Sequence, residues 1–191
     1  PGQMRRLKQE VEMIAWKYSD RSGYVDYYHA MDYVHDLEAF LDENVKTLID
    51  KKLMIQAFEI TNEVFHTIGN QEIDDSDGGT TWIANRCYEY WKQILNQATD
   101  EQRGQMFQWF KRCQKNYVID YMEDYISDFL MEEFHDTSML LEKLRMLDEL
   151  IECAGDKTDC GSLYSSYYGF ENIILKRLQI MKELNYSANE I

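Results

Sequence analysis

The only proline in this 191-residue chain is its first residue, Pro1. Proline stops helices by removing an amide donor and clashing with the preceding turn, so everything after residue 1 is free of the strongest helix breaker. Apolar residues recur at helical spacing almost throughout, and no segment alternates as a half-buried strand does. The pattern predicts an all-α fold with helices over about 3–19, 26–50, 52–69, 79–98, 100–114, 118–135, 137–154 and 162–184. The breaks carry local chemistry. Ser19 to Gly23 is a turn, and Asp26 beyond it is placed to cap a helix. Gly69-Asn70 is expected to close the third helix through a left-handed glycine. Thr99 with Gln102 has capping-box spacing, and Gly155 to Gly161 separates the last two helices.

Short connections between long helices imply antiparallel neighbours in one all-helical domain over residues 1–191, either a bundle or a stack of helix pairs of TPR or HEAT type. The Leu53–Ala57–Thr61 spacing resembles the second helix of a tetratricopeptide pair, without a period of about 34 residues to accompany it. Ser187 to Glu190 has the S-x-x-E pattern of a helix about to begin, and residue 1 is not methionine, so the chain reads as a fragment of a larger protein.

Hydrophobic residues make up 45% of the chain and aromatics 14%, including 14 Tyr, which excludes a disordered segment. Thirty-five acids against 20 bases leave a formal charge of −15, a surface that repels phosphate backbones and anionic membranes. Direct binding of nucleic acid or membrane is therefore not expected of this segment; the charge serves solubility first, and it is also compatible with a protein partner of basic character. Residues 120–136 hold seven acids and no base. Arg103 to Lys115 carries four bases and no acid, so helices of opposite sign are expected to attract. The four cysteines, Cys87, Cys113, Cys153 and Cys160, form no CxxC and are read as reduced, packed thiols of a cytoplasmic protein.

Each histidine has an acid three residues before it: Asp26/His29, Asp32/His35, Glu63/His66 and Glu132/His135. Glu-x-x-His repeats build di-iron bundles when both side chains face the core. Helix phase argues against that here. Met54, Ala57, Phe58, Thr61, Phe65 and Ile68 define an inward stripe, and Glu63 falls about 170° and His66 about 130° from its centre. In the sixth helix Met122, Ile126, Phe129 and Leu130 define the stripe, with His135 about 160° and Glu132 about 100° away. Both pairs are expected on water. Glu133 falls within about 20° of that stripe and needs a partner, with Arg112 and Lys111 the nearest in sequence.

Glu72 to Gly79, EIDDSDGG, has the look of a calcium loop. With Gly78 at the loop's glycine position, Ile73 and Ala84 occupy the first and last ligand positions, so two essential oxygens are missing. Helix capping by Asp77 or Thr80 is the simpler expectation. Zinc would need closely spaced thiolates or imidazoles, and nucleophilic catalysis or phosphate binding would need motifs that do not occur. No metal, cofactor or catalytic residue is expected. The candidate partner-binding residues are Asp74, Asp75 and Asp77 in this loop, and Tyr24 and Tyr28 in the tyrosine cluster Tyr24, Tyr27, Tyr28 and Tyr33. Half-buried packing is the simpler expectation for these tyrosines, whereas exposed ones beside acids would suit an Arg- or Lys-rich partner. A second tyrosine cluster is Tyr164, Tyr167 and Tyr168.

Four stretches spread over most of the chain, Lys17 to Leu41, Ala57 to Phe65, Ile68 to Gly79 and Val118 to Phe134, together resemble the helical region that follows the zinc finger in bacterial SWIM zinc-finger proteins. The resemblance implies an intracellular parent whose C-x-C…C-x-H zinc site lies upstream, beside a finger that binds DNA or protein. That pattern is absent here, so no zinc ligand carries over. The expected function is a non-enzymatic helical scaffold for protein–protein interaction. The alternative is an acidic module that mimics nucleic acid or covers a basic finger.

Overall fold

A computed structural model describes residues 2–113, 116–156 and 169–186. The described residues are almost wholly helical. Helix α1 is Gly2–Tyr18 and α2 covers 27–50, as Tyr27–Phe40, a π-helical turn Leu41–Val45, and Lys46–Asp50. Then follow α3 (Met54–Gly69), α4 (Gly79–Gln97), α5 (Asp100–Arg112) and α6 (Met122–Glu133). The last two are α7 (Thr137–Asp156) and α8 (Phe170–Glu183). Two-residue strands β1 (Tyr24–Val25) and β2 (Glu72–Ile73) pair in parallel. The second tyrosine cluster, Cys160 and the Ser187 to Glu190 capping pattern lie outside the described residues.

The chain gathers into two compact units. One holds Pro1–Trp109 and Lys115–Tyr125, the other Phe110–Gln114 and Ile126–Ile191. Helices α5 and α6 each contribute residues to both.

The first unit is built around α3. Met54, Ala57, Phe58, Thr61, Phe65 and Ile68 are buried as the helical phase predicts, but so are Ile60, Asn62 and Val64 on its other faces. Neighbours on several sides explain this. Lys8 of α1 lies 3.9 Å from Glu63, the Trp91 indole of α4 donates to Asn62 Oδ1 (2.9 Å), and Tyr117 packs edge-on to Phe65. Helices α2 and α4 run in the same direction, since Val34 meets Gly79 while Asp42, further along, meets Arg86 and Tyr90. Asp42 reaches them from the π-helical turn, a distortion that leaves main-chain carbonyls to other donors. Asn44 Nδ2 takes Phe40 O (3.1 Å) and Thr47 Oγ1 takes Glu43 O (2.6 Å).

Helix ends follow local chemistry. The Asp26 carboxylate accepts from His29 N (3.1 Å) at the start of α2, and Thr99 and Gln102 form the reciprocal capping box of α5. The end of α3 departs from expectation. No left-handed glycine closes it, because Gly69 is still helical and Asn70 at the cap has φ −98°. Gly69 is small for a different reason: Tyr117 lies directly against its backbone, and Ile119 N donates to its carbonyl (3.0 Å).

In the second unit Phe110 stacks on Phe129 at 4.6 Å, and Phe134 meets both rings edge-on. Leu140, Leu144, Leu147 and Leu150 of α7 are buried with Ile173, Ile180 and Met181 of α8. Lys143 is fully buried among these apolar residues. Its amine donates to Met131 O (3.0 Å) and Phe134 O (2.6 Å), the carbonyls that the end of α6 leaves without helical partners. Burial lowers its pKa to about 8, against the opposing pull of Glu183 and Glu133. The charge pairing differs from the sequence expectation. Lys111 binds Glu142 of α7 instead of Glu133, and the acidic α6 is met from α8, where Lys176 pairs with Glu132. Glu133 is half-buried, and its charge acts on Lys143.

Candidate functional site

Two loops of the first unit meet at one end of its helices. Residues 19–26 join α1 to α2, and residues 70–78 join α3 to α4. The β1–β2 pairing places Tyr24 beside Glu72 and Val25 beside Ile73, and Asp74 N donates to Val25 O (2.9 Å). Gln71 Nε2 adds a bond to Gly23 O. Val25 is fully buried beneath the pairing, so the loops are pinned by an apolar anchor as well as by main-chain bonds. The C-terminal ends of α1 and α3 and the N-terminal ends of α2 and α4 are thereby brought to one apex.

Each loop is folded on an aspartate. Asp20 Oδ1 accepts from Ser22 Oγ (2.6 Å), Ser22 N (2.8 Å) and Tyr24 N (3.1 Å). These bonds, the Ser22 hydroxyl foremost, hold its pKa below the usual carboxylate range. Asp74 makes the same kind of turn with Ser76, and its pKa is lowered for the same reason. Asp75, and not Asp77, caps α4. Its carboxylate takes Thr80 N (2.9 Å) and the Thr80 hydroxyl. Gly78, at φ +72°, supplies the left-handed residue that folds Asp75 back over the helix start. Asp77 is left exposed. The Tyr121 hydroxyl bonds to Thr80 and Thr81, tying residues 116–121 to the same helix end.

The five candidate residues are thus drawn together, although nearly fifty positions separate the two sequence patches. Tyr24 is partly exposed and Tyr28 is 84% exposed, edge-on to Tyr27. Three further exposed rings stand at the same apex. They are Tyr27, Trp16 in the last turn of α1 (82% exposed) and Trp82 in the first turn of α4 (55%). Helical phase could have found both tryptophans: Trp16 falls about 180° from Leu7, and Trp82 about 180° from Trp91. Tyr33 does not belong to the apex. It is wholly buried, and its hydroxyl has no hydrogen-bond partner.

The histidines divide. His29 bonds to Asp26 through Nδ1 (2.7 Å) in the open. His135 and Glu132 are exposed as phase predicts, though each reaches a residue of α8, Glu183 and Lys176 respectively. His66 is the correction. It is half-buried, stacked on Tyr117 at 5.7 Å and near Trp109, with Nδ1 2.7 Å from the Tyr117 hydroxyl. Its face of α3 points to another part of the fold instead of to water. Among the described residues, no group of three His, Cys, Asp or Glu side chains is placed to hold a metal ion. Cys87 is buried, which pushes its thiol pKa up, and Cys113 and Cys153 are half-buried. No helix among the described residues is long and apolar enough to cross a membrane.

Compared with known proteins, the chain matches no family model, no curated protein and no solved structure.

Proposed function

We propose that this chain is a non-enzymatic helical scaffold for protein–protein interaction, acting in the cytoplasm as part of a protein of the SWIM zinc-finger type. The observation that carries the reading is the apex of the first unit. Large apolar rings exposed singly are ordinary on a protein surface, but five carried on the meeting ends of α1, α2 and α4 and on the loop before α2 favour an interaction surface. The partner is a protein with basic character, because the same apex is acidic. Neither nucleic acid nor membrane is bound directly by this segment.

Affinity capture on the immobilised chain tests the proposal, followed by reconstitution of each captured complex from purified components. A saturable binary complex is the expected result. Retention of no protein at physiological salt, or binding of duplex DNA at micromolar concentration, overturns it.

A further inference from the structure

The apex combines exposed rings with uncompensated negative charge. Residues 16–29 and 70–82 hold six acids, Asp20, Asp26, Glu72, Asp74, Asp75 and Asp77, against two bases, Lys17 and Arg21. Lys17 is already committed to Asp36 at 2.9 Å. Elsewhere, Asp42 is paired with Arg86, Glu142 with Lys111, Glu132 with Lys176 and Asp148 with Arg177. Among the described residues, no lysine or arginine pairs with any of the six apex acids. The hydrogen bonds that shape the loops come from uncharged amides and hydroxyls. They hold Asp20 and Asp74 ionised and oriented without neutralising them.

The chemistry of this surface selects among ligands. Nucleobases stack on exposed rings, but their phosphates would meet the six acids. Tryptophan and tyrosine also seat at membrane interfaces, but an anionic bilayer surface is repelled by the same charge. A cation that stacks satisfies both features at once. The arginine guanidinium does so, since its flat face lies on a ring while its fork of donors engages carboxylates. The lysine ammonium is more strongly hydrated and lacks the flat face.

We infer that the apex formed by Trp16, Tyr24, Tyr28 and Trp82 with Glu72, Asp74 and Asp77 is the docking surface for an arginine-rich peptide segment of a partner protein. This rests on the protein-binding role proposed above and names the chemistry of the partner. Arginine side chains stack on the Tyr28 and Trp82 rings, and the neighbouring carboxylates accept their remaining donors. Asp75 stays with α4 as its cap, so the charge that attracts the peptide and the bond that holds the helix belong to different aspartates.

The test uses the 191-residue chain and a fluorescent peptide of about twelve residues alternating arginine and serine, with lysine in place of arginine for comparison. Anisotropy is read at about 150 mM salt, where diffuse charge attraction is largely screened. Tyr28→Ser with Trp82→Ser keeps every charge and is expected to weaken arginine-peptide binding about tenfold. Asp74→Asn with Asp77→Asn keeps the rings and is expected to do the same. Glu43→Gln with Asp50→Asn removes the same formal charge toward the far end of α2, roughly 22–33 Å from Tyr28 at helical rise, and is expected to change binding less than about twofold. The lysine peptide binds more weakly than the arginine peptide. Circular dichroism confirms that each variant is folded. Absence of arginine-peptide binding, or undiminished binding by the ring variant, overturns the inference. If a captured natural partner binds the ring variant as tightly as the unaltered chain, the arginine surface fails while the scaffold role stands. If no partner is captured at all, the scaffold role itself fails.

Discussion

Gly69 and Tyr117 are in direct contact, ring to backbone: a β-carbon on Gly69 would lie 2.5 Å from Tyr117 Cδ1 and 3.1 Å from Cε1. The ring cannot retreat easily, because it also stacks on His66 and meets Phe65 edge-on. Gly69→Ala is therefore expected to destabilise the first unit by roughly 1–3 kcal/mol, the usual cost of forcing an extra carbon into a packed site. Gly104 lies within α5 with nothing within 4 Å of the added carbon. Gly104→Ala is expected to stabilise by about 0.5–1 kcal/mol, as alanine does in a helix interior. Urea unfolding of the two variants checks the pair, and equal effects would refute the Tyr117 contact.

The Asp75 and Asp77 side chains, two residues apart, are predicted to behave differently. Asp75→Ala removes the acceptor for Thr80 N and should cost about 1 kcal/mol, a typical cap loss. Asp77→Ala removes an exposed carboxylate and should leave the unfolding midpoint almost unchanged. Calcium at millimolar concentration should shift neither midpoint. A rise in melting temperature with calcium, lost in the Asp77 variant, would revive the metal-loop reading.

Lys143 predicts a pH dependence whose sign is fixed. Below about pH 8 the amine is protonated in both the folded and the unfolded chain, and the cost of burying its charge is fully present. Between about pH 8 and the ordinary lysine value of 10.5, the folded chain has released a proton that the unfolded chain keeps. Unfolding then takes up a proton, so stability rises with pH across that window. The difference in unfolding free energy between the unaltered chain and Lys143→Met should climb from about pH 8 to 10.5. Parallel profiles would show that Lys143 titrates normally.

Glu133 and Glu132 separate on the same amine. Glu133→Gln removes a charge that favours the protonated Lys143, so the onset of the rise should move to lower pH and stability at pH 7 should fall. Glu132→Gln breaks a pair whose carboxylate is exposed while the Lys176 side chain is half-buried, and should cost about 0.5–1 kcal/mol. A larger effect from Glu132 than from Glu133 would show that the α6 register is wrong.

Two buried tyrosines make a matched comparison. The Tyr33 hydroxyl has no partner, so Tyr33→Phe removes a desolvated polar group and should be neutral or stabilising by up to about 1 kcal/mol. The Tyr90 hydroxyl donates to Asp42 at 2.6 Å, and Tyr90→Phe should destabilise by about 1 kcal/mol, since the carboxylate is partly solvated. Thermal unfolding of both variants decides. Clear destabilisation by Tyr33→Phe would mean that its hydroxyl is satisfied after all.

Wherever one residue's own chemistry sets the outcome, the sequence was sufficient. A chain without proline after residue 1, with apolar residues at helical spacing, determines helices, and Asp26 and the Thr99–Gln102 pair mark their own helix ends. The inward stripes of α3 and α6 follow from phase in the same way. Phase fails where a helix has neighbours on more than one side. His66 sits away from the stripe of α3, yet Tyr117 and Trp109, more than forty residues later, occupy the space that phase assigns to water. Gly69 fails similarly, because a glycine that admits a ring and a glycine that takes a left-handed turn are identical in sequence. Pairing of charges was equally illegible: Lys111 had several acids within reach along the chain, and the packing of α7 decided for Glu142. The apex is the fullest case. Each of its loops declares its turns locally through Asp20, Asp74 and Asp75. Their union depends on four main-chain partners brought together from residues 24–25 and 72–73, and main-chain hydrogen bonds carry no side-chain signature by which a sequence could announce them.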